Sequence, residues 1–82
     1  MPRYFLHLRD GTDELLDPDG KDYSDLPALH AAVMANARDC IAGDVRIGII
    51  DLRYRIDAED ADRKIVYTLH FEHAFSLIPR VA

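Results

Sequence analysis

Residues 25–48, DLPALHAAVMANARDCIAGDVRIG, decide how this chain folds, and they read as one long amphipathic helix. Asp25 supplies the N-cap, because its carboxylate can accept from the unpaired N–H groups of the first turn. Pro27 fits near the start, where an N–H has no intrahelical partner to lose. Leu26, Leu29, Val33, Ala37, Cys40 and Ile41 recur at spacings of three and four and form a single apolar stripe. Met34 borders the stripe and Val45 continues it, while Ala31, Ala35, Arg38, Asp39 and Ala42 lie away from its centre. Five alanines between positions 28 and 37 raise helix propensity and allow close packing on a sheet. Gly43 and Gly48 both qualify as the C-terminal cap. Val45 keeps the stripe in phase and Arg46 then sits in the last turn, where a cation suits the helix dipole, so Gly48 is the expected stop. The helix is therefore about 22 residues long.

Strands flank it on both sides. From Tyr4 to Arg9 the chain alternates, with Tyr4, Leu6 and Leu8 on one side and Phe5, His7 and Arg9 on the other, the pattern of a half-buried strand. Asp10-Gly11-Thr12-Asp13 reads as a turn, Glu14-Leu15-Leu16-Asp17 as a short return strand, and Pro18-Asp19-Gly20 as its stop. Beyond the helix, Leu52, Tyr54 and Ile56 alternate with Arg53, Arg55 and Asp57 in a third strand. Asp60-Ala61-Asp62-Arg63 is a polar turn, and Lys64 to Phe71 is a fourth strand, with Ile65, Tyr67, Leu69 and Phe71 opposite Val66, Thr68 and His70. So short a turn makes the last two strands antiparallel. The tail, with Ala74, Phe75, Leu77, Ile78 and Pro79, suits a helical turn or a final extended segment equally well.

The expected fold class is α+β: one domain over residues 1–82, with a four-stranded antiparallel sheet in the order β-β-α-β-β and one long helix on one face. The inward set is Tyr4, Leu6, Leu8, Leu52, Tyr54, Ile56, Ile65, Tyr67, Leu69 and Phe71. One helix covers only one face of a sheet. Phe5, His7, Val66, Thr68 and His70 are left on the other, as the expected contact face.

Composition bounds the function. Eighty-two residues make one domain, and 49% apolar content is enough for a core and too much for a disordered chain. The single cysteine, Cys40, allows no internal disulfide and fits a reducing compartment. No apolar run approaches the roughly 18 residues that span a membrane, and the first residues lack the apolar stretch of a signal peptide. The expected location is the cytoplasm. A net charge of −5 counts against nucleic acid, whose binding draws on clustered Lys and Arg; Arg53 and Arg55 on one strand face are too small a footprint.

The opening Pro2-Arg3-Tyr4-Phe5-Leu6-His7-Leu8-Arg9-Asp10-Gly11 resembles that of a small domain-of-unknown-function family of rhizobial and related alphaproteobacteria. Ala37-Arg38-Asp39, Asp51-Leu52, Arg55-Ile56-Asp57 and the closing set Ile65, Thr68, Phe71 and Ala74 are similar too, so the resemblance covers nearly the whole chain. It departs at Asp60-Ala61-Asp62-Arg63-Lys64, where relatives place a glycine. The resemblance supports the order of strands and helix. It implies no catalytic residue, because the family defines none. A weaker likeness, at the level of fold alone, is to small bacterial antitoxins of the HicB type, which also place a helix after an N-terminal hairpin.

No motif for chemistry rises above this background. In His70-Phe71-Glu72-His73, a strand would send the two histidines to opposite sides, and zinc wants three or four ligands. His7 and His70 would meet only if the first and fourth strands were neighbours. Asp10, Asp13, Glu14, Asp17, Asp19, Asp22 and Asp25 form an acidic run, but counting from Asp17 the fifth EF-hand position is Lys21 and the twelfth Ala28, which breaks that pattern. Cys40 lies on the apolar stripe and reads as a small buried hydrophobe. Ser24 and Ser76 lack a nucleophile-elbow context. Asp57 and Glu59 read as solvated carboxylates with no apolar pocket to raise their pKa values. Neither catalytic residues nor a cofactor or metal site are expected. The expected role is a protein-interaction or accessory module that pairs with itself as a homodimer, through the open face or an edge strand, or with another protein. The alternatives are an antitoxin-like regulatory partner, and a metal-binding protein or small enzyme using His7 and His70.

Overall fold

In the computed structural model, which describes residues 2–79, the quoted stretch forms one 22-residue helix, α1, over Leu26–Ile47. Both expected caps are in place. Asp25 Oδ1 accepts from the Ala28 N–H at 2.8 Å, and Gly48 ends the helix at φ 83°. The Gly48 N–H donates to Val45 O and the Ile49 N–H to Asp44 O, which pairs two carbonyls of the last turn as a Schellman motif does. Arg46 lies in that turn, and Gly43 stays inside the helix. The two glycines therefore answer oppositely to alanine. Neither would bring a new Cβ within 4 Å of another atom, so only backbone preference decides. Gly43→Ala is expected to stabilise by about 0.5–1 kcal/mol and Gly48→Ala to destabilise by about 1–2 kcal/mol in urea titrations.

Among the described residues the sheet has five strands, not four: β1 (Arg3–Arg9), β2 (Glu14–Leu15), β3 (Lys21–Asp22), β4 (Arg55–Glu59) and β5 (Ile65–His70). All pairings are antiparallel. The order across the sheet is β2-β1-β4-β5, and β3 also pairs with β1, through Arg3↔Asp22 and Tyr4↔Lys21. The two hairpins thus join through β1 and β4, which pair from Phe5↔Glu59 to Arg9↔Arg55. The chain after β2 does not stop at Pro18-Asp19-Gly20 but detours and returns to the same edge. Asp17 causes the detour: its carboxylate accepts from the N–H groups of Leu6, Asp19 and Gly20, closing a turn where a longer β2 would have continued.

The helix packs on β4, β5 and a single 3₁₀ turn at Phe71–His73. Leu29, Val33, Ala37 and Ile41 meet Ile56, Ala58, Leu69, Phe71 and Ala74 in the core. The inward set needs three corrections. Ile65 and Leu52 are exposed, and fully buried Ala58 takes a place in the core. The third strand starts at Arg55, because Asp51 accepts from the backbone and side chain of Arg53 and ties residues 51–53 into a local turn. A bulge at Ala58/Glu59 shifts the register against Ile65. The fourth strand ends at His70, and Phe71 opens the 3₁₀ turn instead of closing the strand. Residues 80–82 of the tail lie outside the described residues.

A helix of this length is about 33 Å long, whereas seven-residue β1 spans about 23 Å. The helix ends therefore overhang, and Leu26 and Val45 are more than half exposed. The radius of gyration, 13.9 Å, exceeds the roughly 12 Å of a compact chain this long. No described helix is long and apolar enough to cross a membrane.

Candidate functional site

The face of the sheet away from α1 carries the densest chemistry. Alternation places Phe5, His7 and Arg9 of β1 beside Arg55, Asp57 and Glu59 of β4 and Thr68 of β5. Asp57 sits at the centre, only 1% exposed. Arg9 Nη1 donates to its Oδ2 at 2.8 Å, Arg55 Nε to the same oxygen at 3.2 Å, and the Thr68 hydroxyl to Oδ1 at 2.7 Å. Arg9 also donates through Nη2 to Glu59 and through Nε to Glu14. His7 Nε2 lies 3.4 Å from Glu59 Oε1, and its Nδ1 accepts from the Asp17 N–H. No buried side-chain nitrogen or oxygen among the described residues lacks a partner.

This overturns the picture of Asp57 and Glu59 as solvated carboxylates. Long neighbours from β1 fold over them and exclude water, although among the described residues no further layer of structure covers the face. Burial alone would push the Asp57 carboxyl up, but hydrogen bonds from Arg9 and Thr68 and the charge of Arg55 outweigh it and hold the group below its ordinary value. The hydrogen bond to Asp57 in turn keeps Arg9 protonated beyond its already high pKa. A carboxylate fixed as an anion beside fixed cations does not exchange protons near neutral pH. The cluster is a lock between the two hairpins. At register His7 stands opposite Asp57 but Arg9 stands opposite Arg55, and Arg9 reaches along β4 past that partner to Asp57 and Glu59.

The expected contact face is therefore divided. His7 is buried in the lock, Thr68 is tied to Asp57, and Phe5 stacks on His7 with ring centroids 6.5 Å apart. Val66 and His70, on the β5 margin, remain exposed. His7 and His70 do not meet, because β4 runs between their strands. The 3₁₀ turn does bring the His70 and His73 rings to 6.2 Å, which a continued strand would have prevented. Among the described residues no three His, Cys, Asp or Glu side chains gather as a metal site would require.

The Asp17 turn holds β1 from its outer edge. Burial pushes the Asp17 carboxyl up, and the N–H groups of Gly20, Leu6 and Asp19 overcome this to lower it. Gly20 closes the turn at φ 66° and lies flat against β1. A Cβ there would come within 2.7 Å of the Phe5 ring and 2.9 Å of Tyr4 O. The ring can move, but the backbone carbonyl cannot without loosening β1. Gly20→Ala is expected to cost about 2–3 kcal/mol, read as a lower urea midpoint.

Two depressions flank these elements. A polar cleft of about 360 Å³ lies between Arg9, Arg55 and the Gly11–Glu14 turn. On the helix side, an apolar groove of about 500 Å³ runs between α1 and β1–β2, floored by Leu6, Leu8 and Ile56. Cys40 lines the groove and is partly accessible rather than fully buried; burial, with Asp44 and Asp39 nearby, pushes its thiol up and so away from reactivity.

No curated protein and no solved structure matches this chain. A family model matches residues 3–72, from the first residue of β1 into the 3₁₀ turn, and the chain belongs to that family, described as a domain of unknown function (DUF6894).

Proposed function

We propose that this chain is a protein-interaction module that takes an extended segment of another protein along the free edge of β5. The observation behind this reading is an asymmetry between the two edges of the sheet. The β1 edge is blunted twice over, by the short β2 and β3 and by the Asp17 carboxylate on the Leu6 N–H. Among the described residues nothing pairs with the outer side of β5, and its Ile65 and Val66 are 49% and 40% exposed. An unprotected edge with apolar side chains is a template for strand addition, in which main-chain hydrogen bonds give affinity and alternate side chains give selectivity. Val66 and His70 carry the open face to that edge, so the contact would include the outer members of the set Phe5, His7, Val66, Thr68 and His70.

The test is capture from the native host with tagged wild type and with Ile65→Lys/Val66→Lys, which places two charges on the edge and touches no core side chain. A partner held by the wild type and released by the variant, with unchanged thermal melting, supports the reading. Equal recovery by both, or none by either, sinks it.

A further inference from the structure

We propose that His7 is a protonation switch: a proton on its Nδ1 releases the Asp17 turn from β1 and uncovers the second edge of the sheet. His7 is only 8% exposed, and both ring nitrogens face protein atoms. Nδ1 accepts from the Asp17 N–H at 3.1 Å, and Nε2 lies 3.4 Å from Glu59 Oε1. A backbone N–H can only donate, so Nδ1 must present its lone pair, and the one proton of the neutral ring sits on Nε2, toward Glu59. Flipping the ring would set carbon atoms against both partners. The imidazolium carries a proton on each nitrogen. Its Nδ1–H and the Asp17 N–H would then point at one another, with little water to separate them.

The charged groups around the ring do not remove this conflict. On β4, Asp57 stands opposite His7 at register, with Glu59 and Arg55 on the diagonals. On β1, Arg9 follows two residues along the same face, and the turn contributes the Asp17 carboxylate. The three carboxylates favour charge on the ring as a whole. Their oxygens, however, already accept from Arg9, Arg55, Thr68 and the N–H groups of Leu6, Asp19 and Gly20. Among the described residues the Asp17 N–H is the group bonded to Nδ1. The ring itself is stacked on Phe5 and faces Glu59 through Nε2, so the turn is the side that yields. Little apolar burial holds the turn: β2 has two residues, and Leu15 and Leu16 are 70% and 52% exposed. When the turn lifts, the Leu6 N–H loses the Asp17 carboxylate that blunts the β1 edge. The switch acts at β1 and is independent of strand addition at β5.

The Asp17 and Asp57 carboxyls are both held below their ordinary values, so they stay ionised in the range from about pH 8 to about pH 5 where histidines as a class charge. A nitrogen-15 titration of the wild-type imidazoles should show His7 as the neutral Nε2–H tautomer at the upper end of that range. Water-exchange rates of the Leu6 and Asp17 amides, corrected for their intrinsic pH dependence, should rise at least tenfold toward the lower end, with the midpoint of the His7 titration. The amides of Ile56 and Leu69 should stay level. In His7→Asn the side-chain oxygen can replace Nδ1 as acceptor and does not titrate, so the rise should vanish. Nδ1 protonated in the neutral ring overturns the proposal. So do level Leu6 and Asp17 rates, a rise whose midpoint is not that of His7, or a rise that persists in His7→Asn. The two wild-type measurements decide the matter even where the variant does not fold.

Discussion

Asp57→Ala is expected to remove about 3–5 kcal/mol of stability, the usual cost of deleting one partner from a buried ion pair. A domain of this size has about 4–12 kcal/mol in all, so the variant should be partly unfolded at room temperature or melt at least about 15 °C lower. The cost arises from what is left behind. Arg9 and Arg55 both lose the anion they share, and Thr68 loses its acceptor. Asp57→Asn should cost less, about 2 kcal/mol, because an amide still offers Thr68 a partner but no charge to the arginines. The same group predicts acid sensitivity. Its folded pKa lies below the unfolded value, so the native state binds this proton more weakly. Its contribution is complete above the unfolded value of about 3.9 and is lost as pH falls through the folded one. Wild-type stability should fall below about pH 4, and Asp57→Asn should show a shallower decline over that range. Urea midpoints measured from pH 7 to pH 2 distinguish the two; parallel curves would show that Asp57 does not carry the effect.

Phe71→Ala should be comparably severe, about 3–5 kcal/mol. Phe71 is 1% exposed at the junction of β5, the 3₁₀ turn and α1, with the Tyr54 ring centroid 5.9 Å away. Its backbone N–H donates to Tyr54 O, so the ladder between the last two strands would persist while the space beneath it empties. Buried Ala74 is too small to collapse into that cavity, and α1 is anchored along its full stripe. Phe71→Leu should lose only about 1–1.5 kcal/mol. Thermal melting and near-ultraviolet dichroism test this directly: a Phe71→Ala variant that melts within a few degrees of wild type would remove Phe71 from the centre of the core.

The helix was legible in the sequence down to its end residues, because its determinants are local. A carboxylate three residues before an N–H, a stripe at three- and four-residue spacing and a glycine free to adopt positive φ need no distant partner. The alternation of β1 and β5 was legible for the same reason. The fate of Asp57 was not. Read along β4 it is an acidic residue on a polar side, and only the lateral arrival of Arg9 and Thr68 from two other strands makes it buried and paired. Asp17 and Gly20 behave alike: the sequence marks a turn, but the turn becomes a clamp only when its carboxylate finds the Leu6 N–H and its glycine the Phe5 ring.

The sequence by itself therefore determined the helix, its caps and the antiparallel hairpins, since each follows from backbone preference and periodicity within a few residues. Tertiary structure alone decided that β1 joins β4, that the polar face locks itself with Asp57, and that one helix leaves a groove over β1. Those outcomes depend on which side chains strand pairing brings together over some 50 residues of chain, and no local pattern encodes such a distance.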